Sequence, residues 1–205
     1  MGAKSKLFHA RWWLLAVVVI LQVSILILSP EERTLGIGIK PVYLHVSLTW
    51  TGMLLLLASG VLGIGTVFWP KEELVSWQRN FFTVAMGLYL AGFIISMYAS
   101  WLNWGGIPYQ EPRIRAAINV VVSGTAAWIL QDFIANYRIK GIFPLIPIVY
   151  IFIGGQSPRM VLHPDNPVAS SPLGIKASFI SMFVLAIFLA CWLLWVNGVR
   201  RHLIK

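Results

Sequence analysis

From Pro41 to Phe68 the chain runs for 28 residues without an Asp, Glu, Lys or Arg. A helix of that length is ~42 Å long, more than the ~30 Å hydrocarbon layer of a bilayer. Lipid offers the backbone no hydrogen-bond partners, so a run of this kind that crosses a membrane must be helical. Comparable runs recur along the chain and predict spans at approximately 12–29, 41–68, 80–100, 114–134, 141–155 and 175–197. The fold class expected is therefore an all-α integral membrane protein with six transmembrane helices in one domain, residues 1–205. The fifth run is short and carries Pro144 and Pro147, which remove backbone donors and should bend it. Gly52, Gly60, Gly63 and Gly65 give the second run small faces for close helix contact.

Between the runs lie charged or Pro-rich stretches: Ser29–Lys40, the charged loop 69–79, Trp101–Arg115, the basic turn 135–140 and the Pro-rich loop 156–174. Only 11% of residues are charged, against ~25% in ordinary soluble domains. The net charge of +9 would suggest nucleic acid in a soluble protein. Here its distribution reports topology, and no nucleic-acid partner is expected. The amino end, the 69–79 loop, the 135–140 turn and the carboxyl end hold ten of the sixteen Lys and Arg residues. By the positive-inside rule both termini are cytoplasmic; the expected location is the plasma (inner) membrane of a prokaryote. Cys191 is the single cysteine, so neither an intramolecular disulfide nor a CxxC redox pair can form.

This topology sends three distant segments to the outer face. They bring His45, His163, the aromatic stretch Trp101-Leu-Asn-Trp104 with Tyr109, and Arg113 and Arg115. His9 and His202 fall on the cytoplasmic side, and Asp132 lies near the inner boundary. Two neutral imidazoles can take both axial positions of a haem iron. Aromatic rings can pack on a macrocycle, and arginine forks match propionate carboxylates. The residues alone leave a second reading open, because Trp and Tyr also form interfacial belts and Arg also anchors to headgroups. Hydrolytic catalysis has no support: no Ser/His/Asp or Cys/His arrangement and no phosphate-binding Gly loop stands out.

The motifs resemble one family. Tyr43-Leu-His45-Val-Ser47-Leu-Thr-Trp50 is similar to the Tyr-x-His-Val-Pro-x-x-Trp opening of the second span in the CcmC-type haem-handling family of cytochrome c maturation, a branch of the WWD-loop group. Trp104-Gly105 and Glu111-Pro112-Arg113-Ile114 resemble the start and end of its tryptophan-rich loop. The run from Pro147 to Leu162-His163-Pro164 resembles its Pro-Ile-Val run ending in Leu-His-Pro. The resemblance covers nearly the whole chain, with departures: Ser47 stands for Pro, Gln110 for Trp and Glu111 for Asp.

The resemblance implies a membrane protein that is not an enzyme. It would hold haem b at the outer face and pass it to a haem chaperone, alongside ABC-type transporter subunits of the cytochrome c maturation system. His45 and His163 would be the axial ligands. Trp101, Trp104 and Tyr109 would cover one haem face, Arg113 and Arg115 would meet the propionates, and Glu111 would hold an arginine or the loop backbone. The alternative expectation is a structural subunit of a larger membrane complex that has lost haem binding. A cytochrome b-type electron carrier fits less well, since two outer-face histidines cannot relay electrons across the bilayer.

Overall fold

The computed structural model describes residues 3–154 and 171–203, and His163 lies outside them. Among the described residues seven α-helices follow one another: α1 (Ala3–Leu28), α2 (Ile39–Phe68), α3 (Glu72–Trp104), α4 (Pro112–Leu130), α5 (Tyr137–Ile142), α6 (Leu145–Gly154) and α7 (Leu173–Leu203). A 3-10 turn, Gln131–Phe133, extends α4. Among the described residues there is no β-sheet, and Glu32 and Gly36 form an isolated bridge.

The antiparallel pair α2 and α3 forms the centre. Its register is fixed by close contacts at small residues. A Cβ on Gly52 would lie 2.8 Å from Tyr89 N, and one on Gly92 would lie 2.9 Å from Thr49 N. Further toward each end, Ser59 Oγ donates to Gln78 O (3.0 Å) and Asn103 Nδ2 donates to Gly38 O (2.9 Å). Leu56, Phe82, Met86, Tyr89 and Val120 fill the core shared by α2, α3 and α4, with Ile148 and Ile151 of α6 against it. On the other side, α7 packs Met182 and Phe179 against Tyr43 and Ile39 of α2. The α1 helix leans on α7, where Trp12 meets Trp192 edge-on at 5.8 Å.

Large apolar side chains also cover the outside, including Ile20, Val61, Ile94, Val122, Ile180 and Phe188, each about 60% exposed or more. In water such a surface would drive association; against lipid it is the solvated face. Among the described residues four helices are long and apolar enough to cross a membrane: α2, α3, α4 with its 3-10 turn, and Leu173–Gly198 of α7. The chain is thus all-helical, with several helices consistent with a multi-pass membrane protein. The apolar part of α1, Trp12–Leu28, is shorter.

The expected boundaries change in four places. The charged stretch 69–79 is not a loop: α3 starts at Glu72, and only 69–71 connect it to α2. Glu72 and Glu73 sit in its first turn, where the partial positive charge of a helix N-terminus favours acids. The tryptophans of the 101–115 stretch are likewise helical. The α3 helix runs through Trp104 and ends where Gly105 turns left-handed (φ 71°), with Gly105 N donating to Trp101 O. Residues 135–140 contain the start of α5, capped by Asn136 Oδ1 accepting from Arg138 N at 2.9 Å. The predicted fifth span is two helices, α5 and α6, parted at Phe143–Pro144. The α5 helix is ~9 Å long, too short to cross a bilayer alone, and the described part of α6 is ~15 Å long. Pro147 falls in the first turn of α6, where its missing N–H costs no helical bond.

Candidate functional site

The start of α2, the end of α3 and the start of α4 meet at one end of the bundle. Local chemistry explains each. Lys40 Nζ donates to Ile27 O (2.9 Å), and Tyr43 Oη donates to Pro30 O (3.0 Å), fastening the α1–α2 connection to α2. Within that connection Glu32 accepts from Thr34 N (2.7 Å), Leu35 N (2.9 Å) and the Thr34 hydroxyl. These bonds to its charged form, the Thr34 hydroxyl first, hold the Glu32 carboxyl below the ordinary glutamate range. The Asn103 amide ties the last turn of α3 to Gly38 O and to Ala99 O (2.8 Å). A Cβ on Gly38 would strike the Asn103 amide, so this clasp needs glycine there.

Glu111 is buried and caps α4, its carboxylate accepting from Ile114 N at 3.3 Å. The expected partner was an arginine or the loop backbone, whereas the amide that it holds belongs to the first turn of α4. Pro112 follows at the first helical position, where its absent N–H is harmless. The residues between Gly105 and Glu111 make the only true loop of the aromatic stretch, and Tyr109 in it is exposed. Trp101 is 57% exposed and Trp104 39%, and Tyr98 stacks on Trp101 with ring centres 6.5 Å apart. Arg113 and Arg115 are both exposed on the first turn of α4. Arg115 turns toward its own loop: Nη2 donates to Gln110 Oε1, and Nε to Tyr109 O (3.3 Å).

His45 lies in the second turn of α2, half-buried, ~10 Å along the helix from Gly38. The helix register sets it between the Gly38–Asn103 and Thr49–Gly92 contacts, at the same end of the bundle as Trp101 and Trp104. Its Nδ1 is 3.3 Å from Pro41 O, one turn back. A proton on Nδ1 would be donated to that carbonyl and would leave the Nε2 lone pair for a metal. Of the sequence-predicted site residues, the described part therefore gathers His45, Trp101, Trp104, Tyr109, Arg113 and Arg115 at one end. His163 falls outside it.

This donor set suits a haem in kind: one half-buried imidazole with Nδ1 beside a backbone carbonyl, exposed indole and phenol rings, and guanidinium groups on the adjoining helix. Among the described residues no three His, Cys, Asp or Glu side chains converge into a site of the zinc type. Haem iron makes no such demand, since one or two axial ligands from the chain suffice.

The sequence reading missed a polar cluster at the opposite end. The Arg79 guanidinium lies 4.8 Å over the Trp128 ring, donates to Trp128 O, and pairs with Asp132 (Nη2 to Oδ2, 2.6 Å). Beside it the buried amides of Gln78 and Gln131 meet at 3.4 Å, and Asn80 Nδ2 donates to Leu194 O of α7 (2.9 Å). The signal was present as Gln78-Arg79-Asn80 at the head of an apolar run, with Trp128 and Asp132 one helical turn apart. Assigning 69–79 to a loop hid it.

Compared with known proteins, the chain matches no family model, and no curated protein is a significant match.

Proposed function

We propose that the protein holds haem b at the end of the bundle where α2 begins and α3 ends, on the outer face of the membrane. We further propose that it releases the haem to a haem chaperone in cytochrome c maturation, beside ABC-type transporter subunits. The observation that carries this reading is the placement of the half-buried His45 ring, its Nδ1 3.3 Å from Pro41 O, at the same end of the bundle as the Trp101–Trp104 turn. The reading gives His45 and His163 the axial positions. Trp101, Trp104 and Tyr109 are assigned to one face of the macrocycle, and Arg113 to a propionate. Arg115 positions the loop through Gln110 and the Tyr109 carbonyl, with its remaining N–H groups directed to the second propionate. Haem supplies the iron and the acidic groups. The chain supplies orientation, apolar cover and counter-charge, and no bond-making step is assigned to it.

The test is the visible spectrum of protein purified from haem-replete cells. A six-coordinate, low-spin haem is expected, because two imidazoles give a strong axial field. His45→Ala and His163→Ala should each change that spectrum and loosen the haem, while His202→Ala should leave it unchanged. Colourless wild-type protein refutes the proposal, and a spectrum unaltered in both single variants refutes the ligand assignment. One observation favours a second reading, a structural subunit without haem: Arg115 spends its Nε and Nη2 donors within its own loop. That reading predicts the colourless outcome.

A further inference from the structure

At the end of the bundle remote from Asn103, the three-residue connection between α2 and α3 borders a shallow cleft of about 340 Å³ lined by Trp69, Lys71, Glu73, Leu74 and Trp77. Its construction follows from helical spacing. Glu73 and Trp77 are one turn apart on α3, so they share a face, with Leu74 between them. Leu74 reaches back to α2, where its Cδ2 would be 3.3 Å from a Cβ on Gly65, and it forms an apolar floor. Trp69 and Trp77 are 65% and 44% exposed. Lys71 and Glu73 are both exposed on the rim. Lys71 is the extended N-cap of α3 and Glu73 stands in its first turn, and among the described residues no ion pair joins the two.

Separated opposite charges over an apolar floor complement a zwitterion. The cleft lies at the ends of α2 and α3, two of the helices long and apolar enough to cross a membrane, and so at headgroup depth. Aromatic surface continues from it along the helices: Phe68 adjoins Trp69 with ring centres 6.0 Å apart, and Phe81 lies one turn beyond Trp77 at 6.4 Å. We propose that this cleft is a binding site for a phospholipid whose headgroup carries both a phosphate and a primary ammonium. Lys71 takes the phosphate and Glu73 takes the ammonium. The indoles lie at the level of the glycerol esters, and an acyl chain follows Trp77 and Phe81. The site is independent of the haem reading and of which membrane face it occupies.

The test uses the purified full chain in detergent. It is incubated with equimolar phosphatidylethanolamine, phosphatidylcholine and phosphatidylglycerol of identical acyl chains, and retained lipid is counted by native mass spectrometry. Exposed charge pairs are worth up to ~1 kcal/mol, which converts to a preference for phosphatidylethanolamine of about three- to five-fold over each competitor. Glu73→Ala, which removes the acceptor, should abolish the preference over phosphatidylcholine, whose ammonium has no N–H to donate. Lys71→Gln should lower retention of all three lipids. Arg138→Gln, on α5, should leave retention unchanged. Equal retention of the three lipids by the wild type overturns the proposal, as does a preference for phosphatidylglycerol, which would mark a simple anion site. A preference that survives Glu73→Ala also overturns it. Should Glu73→Ala fail to fold, the wild-type selectivity decides alone.

Discussion

Replacing Gly63 by alanine tests whether a backbone contact seats the broken fifth segment on the bundle. On α2, a Cβ at Gly63 would strike Gly141 O of α5 and lie 3.0 Å from Pro144 Cγ; one at Gly141 would strike Gly63 O and lie 3.1 Å from Val67 Cγ2. Each helix therefore presents a bare backbone to the other, and the obstacle to a methyl group is a carbonyl, which cannot rotate away. Forcing a methylene into a packed contact costs ~1–3 kcal/mol. Removing a helical glycine returns ~0.5–1 kcal/mol through backbone entropy. The net expectation for Gly63→Ala is a loss of about 1–2 kcal/mol. Gly87 on α3 is the control: it is exposed, and a Cβ there would meet nothing within 4 Å. Gly87→Ala should thus keep the entropic gain and stabilise by ~0.5–1 kcal/mol. Equilibrium unfolding in mixed micelles of increasing sodium dodecyl sulfate fraction, followed by circular dichroism, separates the two variants by roughly 2 kcal/mol. If Gly63→Ala is as stable as Gly87→Ala, the Gly63–Gly141 contact is not the seat of α5.

Three further outcomes are expected. With Cys191 replaced by serine, a cysteine at Gly106, where a side chain meets nothing within 4 Å, should react with an impermeant thiol reagent from the outer face; labelling only from the cytoplasmic face would reverse the proposed topology. Arg79→Ala should cost about 2–3 kcal/mol by removing its bond to the Trp128 carbonyl and its place over the indole, whereas Asp132→Ala, at a 60% exposed and solvent-screened side chain, should cost under ~1 kcal/mol; equal losses would put the energy in the ion pair. Because the folded-state pKa of Glu32 is depressed, the stability that it gives the α1–α2 connection is present above its unfolded-state pKa and lost as pH falls through the folded value. The Thr34 and Leu35 amide resonances should then titrate with a midpoint below the ordinary glutamate range, and a midpoint within that range would show that the bonds do not persist in solution.

The long helices were legible because a run free of charge has one solution in lipid, and Pro41–Phe68 needed no other information. The break at Phe143–Pro144 was foreshadowed by Pro144 and Pro147, although a bend was expected where the chain divides into two helices. The start of α3 was misread for a specific reason. Lys71, Glu72 and Glu73 look like loop polarity, but a pair of acids two and three residues after a proline is also a signature of a first helical turn. The end of α3 shows the converse: Trp-Leu-Asn-Trp resembled loop composition, while the stop signal was Gly105, one residue later.

What joins the elements was not legible, because the decisive contacts link residues far apart in the chain. Asn103 reaches Gly38, and Arg79 reaches Asp132, across 65 and 53 positions. The two contacts occupy opposite ends of α3 and fix it to different partners, Asn103 to the start of α2 and Arg79 to α4 and its 3-10 turn. At one end a neutral amide clasps a backbone carbonyl, keeping the Trp101–Trp104 turn at a fixed height above His45 without spending a charge. At the other a guanidinium is committed to an indole, a carbonyl and a carboxylate. Under the proposed haem reading, the Asn103 amide is what sets the height of the Trp101–Trp104 turn at the first end. The same logic makes Asn103→Ala more damaging to haem retention than to the stability of the bundle, since the close α2–α3 contacts at Gly52 and Gly92 do not depend on it.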